Sequence, residues 1–207
     1  MKLSYTSLLV TALLCHASEL EAPIEGYGVV VPEWEVEITP GGPKTILSGT
    51  VEEVHEELLQ LNPDYDEEFS INSTASEISQ RDSGFNLVQR TDFSDAEYHC
   101  GGRWKKCKTW AVNDGISYLR RVKGKPKNGP GPGNCGRVSC SWNAAIWWCN
   151  DSKELNSFGS IADGAALIRK KCYIPDRGPP YPGQENRLSG QAFHHTRWNV
   201  IVREDKC

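Results

Sequence analysis

From residue 109 onward the apolar positions change period several times, and each change marks an element. In TWAVNDGISYLRRVKG (109–124), Val112, Ile116 and Leu119 recur at helical spacing. Arg120 and Arg121 stand in the last turn, where the helix dipole favours cations, and Gly124 is the stop; Gly115 is an unexpected interior glycine. GRVSCSW (136–142) alternates Val138, Cys140 and Trp142 on one face, and AAIWWCN (144–150) is a dense run of strand formers. Ser141 to Asn143 between them predicts a hairpin. Ser160-Ile161-Ala162-Asp163 reads as a capping box, after which Ile161, Ala165, Ile168 and Cys172 line one helical face. WNVIVRE (198–204) puts Trp198, Val200 and Val202 on one side of a last strand. The proline- and glycine-rich stretches 125–134 and 173–186 read as loops. The order helix, strand, strand, helix, long loop, strand predicts an α+β fold: a small α/β sandwich, with an antiparallel sheet and two helices on one face.

The first half is organised differently. MKLSYTSLLVTALLCHA (1–17) has the positive start, short apolar run and small-residue exit of a secretory signal peptide, and no later segment is apolar enough to span a bilayer. A secreted, extracellular product is expected. Residues 18–63 predict β-β-α: GYGVVVP (26–32), then EWEVEI (33–38) with Trp34, Val36 and Ile38 alternating, a PGGP turn at 40–43, and a helix opened by the capping box Thr50-Val51-Glu52-Glu53. Val51, Val54, Leu58 and Leu61 share its apolar face. Residues 64–90 are polar and serine-rich without sustained period, which reads as a flexible linker.

Cysteine usage sharpens the division. Cys15 falls in the signal, and the other seven, Cys100, Cys107, Cys135, Cys140, Cys149, Cys172 and Cys207, all lie in the region 91–207. In an oxidising compartment this density predicts disulfides, with Cys172 and Cys207 tying a helix end and the chain end to the sheet. The odd count leaves one thiol, either buried or paired with a second molecule; otherwise a monomer is expected. No CxxC spacing occurs, so neither a metal nor another cofactor is expected.

The net charge of −4 conceals opposite halves. Residues 1–90 carry four basic and 16 acidic side chains, a net −12, and residues 91–207 carry 19 and 11, a net +8. This suggests an acidic prosegment that shields a basic domain, with Arg81 and Arg90 as processing points, or else a small permanent domain. The cations cluster as Arg103, Lys105, Lys106 and Lys108, and again as Arg120, Arg121 and Lys123, continuing into Lys125 and Lys127. Both clusters point to an anionic partner, a cell surface or a membrane channel, rather than to nucleic acid. Asn72 and Asn150 open glycosylation triplets.

No catalytic residue is assigned. His194-His195 beside Arg197, with Glu154 and Arg137, supplies the residue types of a small ribonuclease, but adjacent strand residues point to opposite faces, so one histidine at most would face a site. There is no GxSxG elbow, and the 129–133 glycines lack the lysine of a phosphate loop. Trp142, Trp147 and Trp148 raise carbohydrate or membrane contact; alternation predicts one of the last two in the core and the other partly exposed.

CGGRWKKC (100–107), the amphipathic helix after it, RVSC (137–140), ALIRKKC (166–172) and the closing GQ…WNVIV…C together resemble the killer-toxin family of virus-infected smut fungi and its secreted fungal relatives, over about residues 98–207. The necrosis-inducing effectors of plant-associated fungi fit more broadly. The resemblance implies a disulfide-stapled α/β sandwich, secreted as a monomer, and for some members toxicity through interference with cation channels. The expected function is therefore a toxin- or effector-like protein acting on other cells, not an enzyme; the alternatives are a secreted ribonuclease and a non-catalytic cell-surface structural protein.

Overall fold

The computed structural model describes residues 20–69, 93, 95–128, 131–150, 158–173 and 186–207. The signal segment, Asn72, Arg81, Arg90, Glu154 and most of the 173–186 stretch lie outside these residues. In chain order the elements are β1 (Gly28–Val30), β2 (Glu33–Glu37), β3 (Lys44–Ser48), α1 (Val51–Leu61), β4 (Tyr98–Cys100), β5 (Cys107–Lys108), α2 (Thr109–Arg121), β6 (Gly124–Asn128), β7 (Asn134–Ser141), β8 (Ala144–Asn150), α3 (Phe158–Cys172), β9 (Arg187–Leu188), β10 (Gly190–His194) and β11 (Trp198–Glu204). A short helical turn at 65–69 follows α1.

The main sheet has the order β1-β7-β8-β11-β10-β4. It is antiparallel except at one edge, where β1 runs parallel to β7 through Val29↔Cys135. The fold is thus an α+β sandwich with disulfide staples, its sheet mixed rather than wholly antiparallel. Val112, Ile116 and Leu119 of α2, and Ile161, Ala165 and Ile168 of α3, pack on Trp148, Val200 and Val202 in one core. Trp104, Ala145, Trp147 and Ile201 form a second core on the opposite face, covered by Ala22, Ile24, Tyr27 and Val29.

That second cover corrects the expectation for the tryptophans. Trp147 and Trp148 are both fully buried, at 0% exposure, and point to opposite faces. A strand covered on both sides reads as a continuous apolar run, which AAIWWCN is.

The acidic region does not stand apart either. β2 is central in a second sheet, β3-β2-β6, so residues 125–128 of the expected 125–134 loop form a strand that opens at Gly124. Pro126 is tolerated because β6, among the described residues, has a neighbour on one side only. Trp34, Val36, Val51, Val54 and Leu58 belong to the same core as α2 and α3, and Tyr65 and Phe69 join it, so the expected linker cannot begin at 64. The region is β-β-β-α, and its boundary with the basic region is not a boundary in the core. Leu61, expected on the apolar face of α1, is exposed.

The α1 capping box forms as expected: Thr50 N donates to Glu53 Oε2 at 2.7 Å, and Glu53 N donates to Thr50 Oγ1 at 3.4 Å. Its neighbour Glu52 reaches β7, accepting from Ser139 Oγ (2.5 Å) and from the Cys140 amide (3.2 Å). A bulge between Arg137 and Ser139 explains this contact. The extra residue turns Val138 and Ser139 both toward the helices and leaves Cys140 on the other face, so Val138 and Cys140 do not share a side. α3 already includes Phe158, which places Ser160 inside the helix rather than at its cap.

The interior glycine of α2 also has a reason. A Cβ on Gly115 would collide with Ser139 Oγ, so glycine lets the helix lie close to β7. Gly190 in β10 is enclosed by less yielding atoms, its Cβ position being 2.7 Å from the His99 carbonyl oxygen and 2.9 Å from Cys172 Sγ. Neither a paired strand backbone nor a disulfide sulfur can move aside. Gly190→Ala is expected to lower stability by about 1–3 kcal/mol, the usual cost of overpacking, as a drop in the urea midpoint at unchanged slope.

Candidate functional site

The first basic cluster lies on the loop 101–106 between β4 and β5. Gly101 and Gly102, at φ 66° and 75°, make the left-handed turn that opens it. Its main chain is tied at several points: Gly101 N donates to the Ser189 carbonyl (2.8 Å), Ser189 Oγ to the Trp104 carbonyl (3.1 Å), and Glu204 N to the Lys105 carbonyl (2.9 Å). Trp104 Nε1 donates to the Pro23 carbonyl at 3.0 Å, locking the loop over the N-terminal segment. Arg103, Lys105 and Lys106 therefore project from a fixed backbone into solvent, and none of the three forms an ion pair with a described residue. Lys108, at the start of α2, holds its ammonium 5.6 Å from the Trp110 ring centroid.

The second cluster is a separate surface at the end of α2. Arg120 Nη2 is 3.3 Å from Asp163 Oδ1, and Arg121 Nη1 is 3.5 Å from Asp66 Oδ2. The Lys123 amide donates to the Tyr65 hydroxyl at 3.1 Å, and burial raises the pKa of that phenol above its ordinary value. The seven cations grouped by sequence thus divide in two. In the first, Arg103, Lys105 and Lys106 are open; in the second, Arg120 and Arg121 meet carboxylates from α3 and from the acidic region.

Beside the open loop, at the end of the sheet where β10 turns into β11, lies a cleft of about 340 Å³. Gln191, Phe193 and Asn199 contribute to its wall, and Gln191 Nε2 donates to Asn199 Oδ1 at 2.9 Å. Tyr27, His194 and Trp198 add aromatic surface, and Arg103 and Arg197 add positive charge. No carboxylate lines it among the described residues. His194 stacks on Trp198, with ring centroids 4.8 Å apart, and meets Phe93 edge-on at 5.2 Å. Arg197 holds φ at 66°, the left-handed position that normally favours glycine or asparagine.

This turn corrects the expected geometry of the histidine pair. β10 ends at His194, so His195 belongs to the turn rather than to the strand. The two rings lie side by side, centroids 4.1 Å apart, instead of on opposite faces. Arg137 does not join them. Its Nη1 donates to the Lys206 carbonyl at 2.9 Å, and it borders a different groove with Val30, Pro32 and Glu53. With Glu154 outside the described residues, the structure brings His194 and Arg197 to one cleft, with His195 against His194 but not among the lining residues, so one histidine at most faces the site, as expected.

Three disulfides join Cys100–Cys172, Cys135–Cys149 and Cys140–Cys207. The first ties the end of α3 to β4 and the third ties the chain end to the β7 hairpin. Cys107, counted among the disulfide candidates, is the free one. It is 1% exposed, so a covalent dimer through the odd cysteine is closed off. Its Sγ donates to the Leu188 carbonyl, and burial pushes its pKa up to about 12. A thiol protonated in the fold and ionised in the unfolded chain stabilises fully below the ordinary thiol range, and that contribution is lost as pH rises toward about 12. Iodoacetamide at pH 8.5 is expected to leave native protein unlabelled and to add one group once denaturant is present; native labelling within minutes would contradict the burial.

Of the remaining candidates, Trp142 sits at the β7–β8 turn with φ 53°, is 68% exposed, and lies 5.6 Å from the Trp110 ring. Asn150 is the last residue of β8. No group of histidine, cysteine, aspartate or glutamate with metal-site geometry occurs among the described residues, and no described helix is long and apolar enough to cross a membrane. No protein-family model matches the chain, and no curated protein and no solved structure matches it.

Sequence alone missed the cleft, because its walls come from residues about 170 positions apart. The local signals are His194-His195 beside Arg197 and RW in CGGRWKKC, an arginine beside a tryptophan that anchors the loop.

Proposed function

We propose that this chain is a secreted, killer-toxin-like or effector-like protein that acts on other cells through the basic loop 101–106, against an anionic cell surface or the vestibule of a cation channel. One observation carries the reading. Arg120 and Arg121 are engaged by Asp163 and Asp66, whereas Arg103, Lys105 and Lys106 project unpaired from a loop whose backbone is fixed. Unpaired cations on a rigid support steer toward an anionic partner without first breaking internal ion pairs. The disulfides suit an extracellular setting.

The test is a viability assay of the oxidised protein on fungal, bacterial and plant cells. Arg103→Glu/Lys105→Glu/Lys106→Glu is expected to lose at least tenfold in potency with unchanged thermal unfolding. Arg120→Gln, on the paired surface, is expected to keep the parent's potency. A triple variant as potent as the parent overturns the reading.

A second reading, a small ribonuclease, is favoured by His194, Arg103 and Arg197 lining one cleft. Cleavage of single-stranded RNA by the parent, abolished in His194→Ala and His195→Ala, would establish it in place of the first.

A further inference from the structure

We propose that the cleft at the β10–β11 turn is a binding site for a single mononucleotide. This goes beyond the loop surface proposed above and does not depend on any effect on cells. The cleft combines the three kinds of group that a nucleoside monophosphate needs.

The first is positive charge without competition. Arg103 and Arg197 both border the cleft, and no carboxylate lines it among the described residues. Guanidinium groups bind phosphate oxygens through paired N–H donors, and a carboxylate in the wall would consume them. Arg197 carries a second mark. It occupies the left-handed place of the turn, at φ 66°, where glycine would sit without strain. Strained backbone concentrates where a side chain has a task, and here the side chain that the strain retains borders the cleft.

The second is flat apolar surface. Tyr27 and Phe193 line the cleft, with His194 at its edge, and aromatic faces hold a base through stacking regardless of its identity. The third is a hydrogen-bonding edge. The Gln191–Asn199 bond uses the Gln191 amino group and the Asn199 carbonyl. Gln191 Oε1 and Asn199 Nδ2 are not used by that bond, an acceptor next to a donor, which is the pattern a base edge requires. A volume of about 340 Å³ is at the lower end for small-molecule sites and suits one nucleotide rather than a strand.

The test follows tryptophan fluorescence and calorimetry of the full oxidised chain, titrated with uridine monophosphate, adenosine monophosphate, uridine and inorganic phosphate. Arg103 is left unchanged because the loop surface shares it. At least one nucleotide is expected to bind ten or more times tighter than either uridine or phosphate, each of which makes only part of the contacts. Arg197→Gly, which relieves the turn and so keeps the fold, is expected to weaken the nucleotide at least tenfold while leaving uridine unchanged. Asn199→Ala is expected to weaken nucleotide and uridine together and to leave phosphate unchanged. Phosphate binding as tightly as both nucleotides, Arg197→Gly binding as tightly as the parent, or no nucleotide binding at millimolar concentration would each overturn the proposal. Failure here leaves the viability test unaffected, and failure there leaves this one unaffected.

Discussion

Residues 91–207 expressed without the acidic region are expected to have no folded state. In the whole chain Trp34, Val36, Leu47, Val51, Val54, Leu58, Tyr65 and Phe69 are buried in the core that also holds α2 and α3. Removing them exposes both their own contacts and the apolar surfaces they cover. At about 1.5–3 kcal/mol for each buried large side chain, the eight sum to about 12–24 kcal/mol, as large as or larger than the ~5–15 kcal/mol of a typical domain. The loss is not only apolar. β6 loses its one partner strand β2, the bulge in β7 loses the Glu52 carboxylate, and Trp147 loses the cover of Ile24 and Tyr27. The fragment is expected to give a flat near-ultraviolet circular dichroism spectrum and no cooperative urea transition. A cooperative transition close to that of the parent would show that the basic region is self-sufficient.

Removal of the Cys100–Cys172 bridge, as Cys100→Ser/Cys172→Ser, has the next largest expected effect. The two residues are 72 positions apart, and closing a loop of that length removes chain entropy worth about 4 kcal/mol from the unfolded state. The bridge also fixes the end of α3 beside Gly190 of β10, where a Cβ would meet Cys172 Sγ and Ile168. Loss of the Cys135–Cys149 bridge, whose ends are only 14 apart and already registered across β7 and β8, is expected to cost less, about 3 kcal/mol. The measurement is the urea midpoint of each double variant beside the parent. Equal midpoints for the two, or a Cys100/Cys172 variant as stable as the parent, would refute this ordering.

Much of the fold was legible because its signal is local. Val112, Ile116 and Leu119 repeat at the helical period, the Thr50–Glu53 cap is encoded within four residues, and WNVIVRE alternates over the whole of β11. What escaped depends on partners far along the chain. Trp147 is buried only because residues 22–29 cover the second face of the sheet, and nothing within AAIWWCN reveals that cover. KPKN pairs as a strand because β2 offers an edge, against the local preference of its proline and lysines. In the sequence the charge difference between the halves suggests the attraction of two bodies. In the structure it is one fold, in which Asp66 holds Arg121 while the same region's Pro23 supports the opposite, unpaired loop.

The cleft was illegible for a related reason. His194 and His195 stand out as a pair in the sequence, yet they sit at a turn closed by Arg197, and a left-handed arginine has no sequence signature. Gln191 and Asn199 carry no motif at all; only the β10–β11 register, which pairs Gln191 with Ile201 and Phe193 with Asn199, makes them diagonal neighbours on one face.

The central claim, that the acidic region is an integral part of the fold, is tested most directly by cutting the chain. A protease site placed between residues 70 and 92 divides it into pieces that no disulfide joins, because residues 18–90 contain no cysteine. After cleavage the two pieces are expected to co-elute from a sizing column in native buffer and to unfold together in one transition, separating only in denaturant. A basic piece that elutes alone, still folded, would contradict the account.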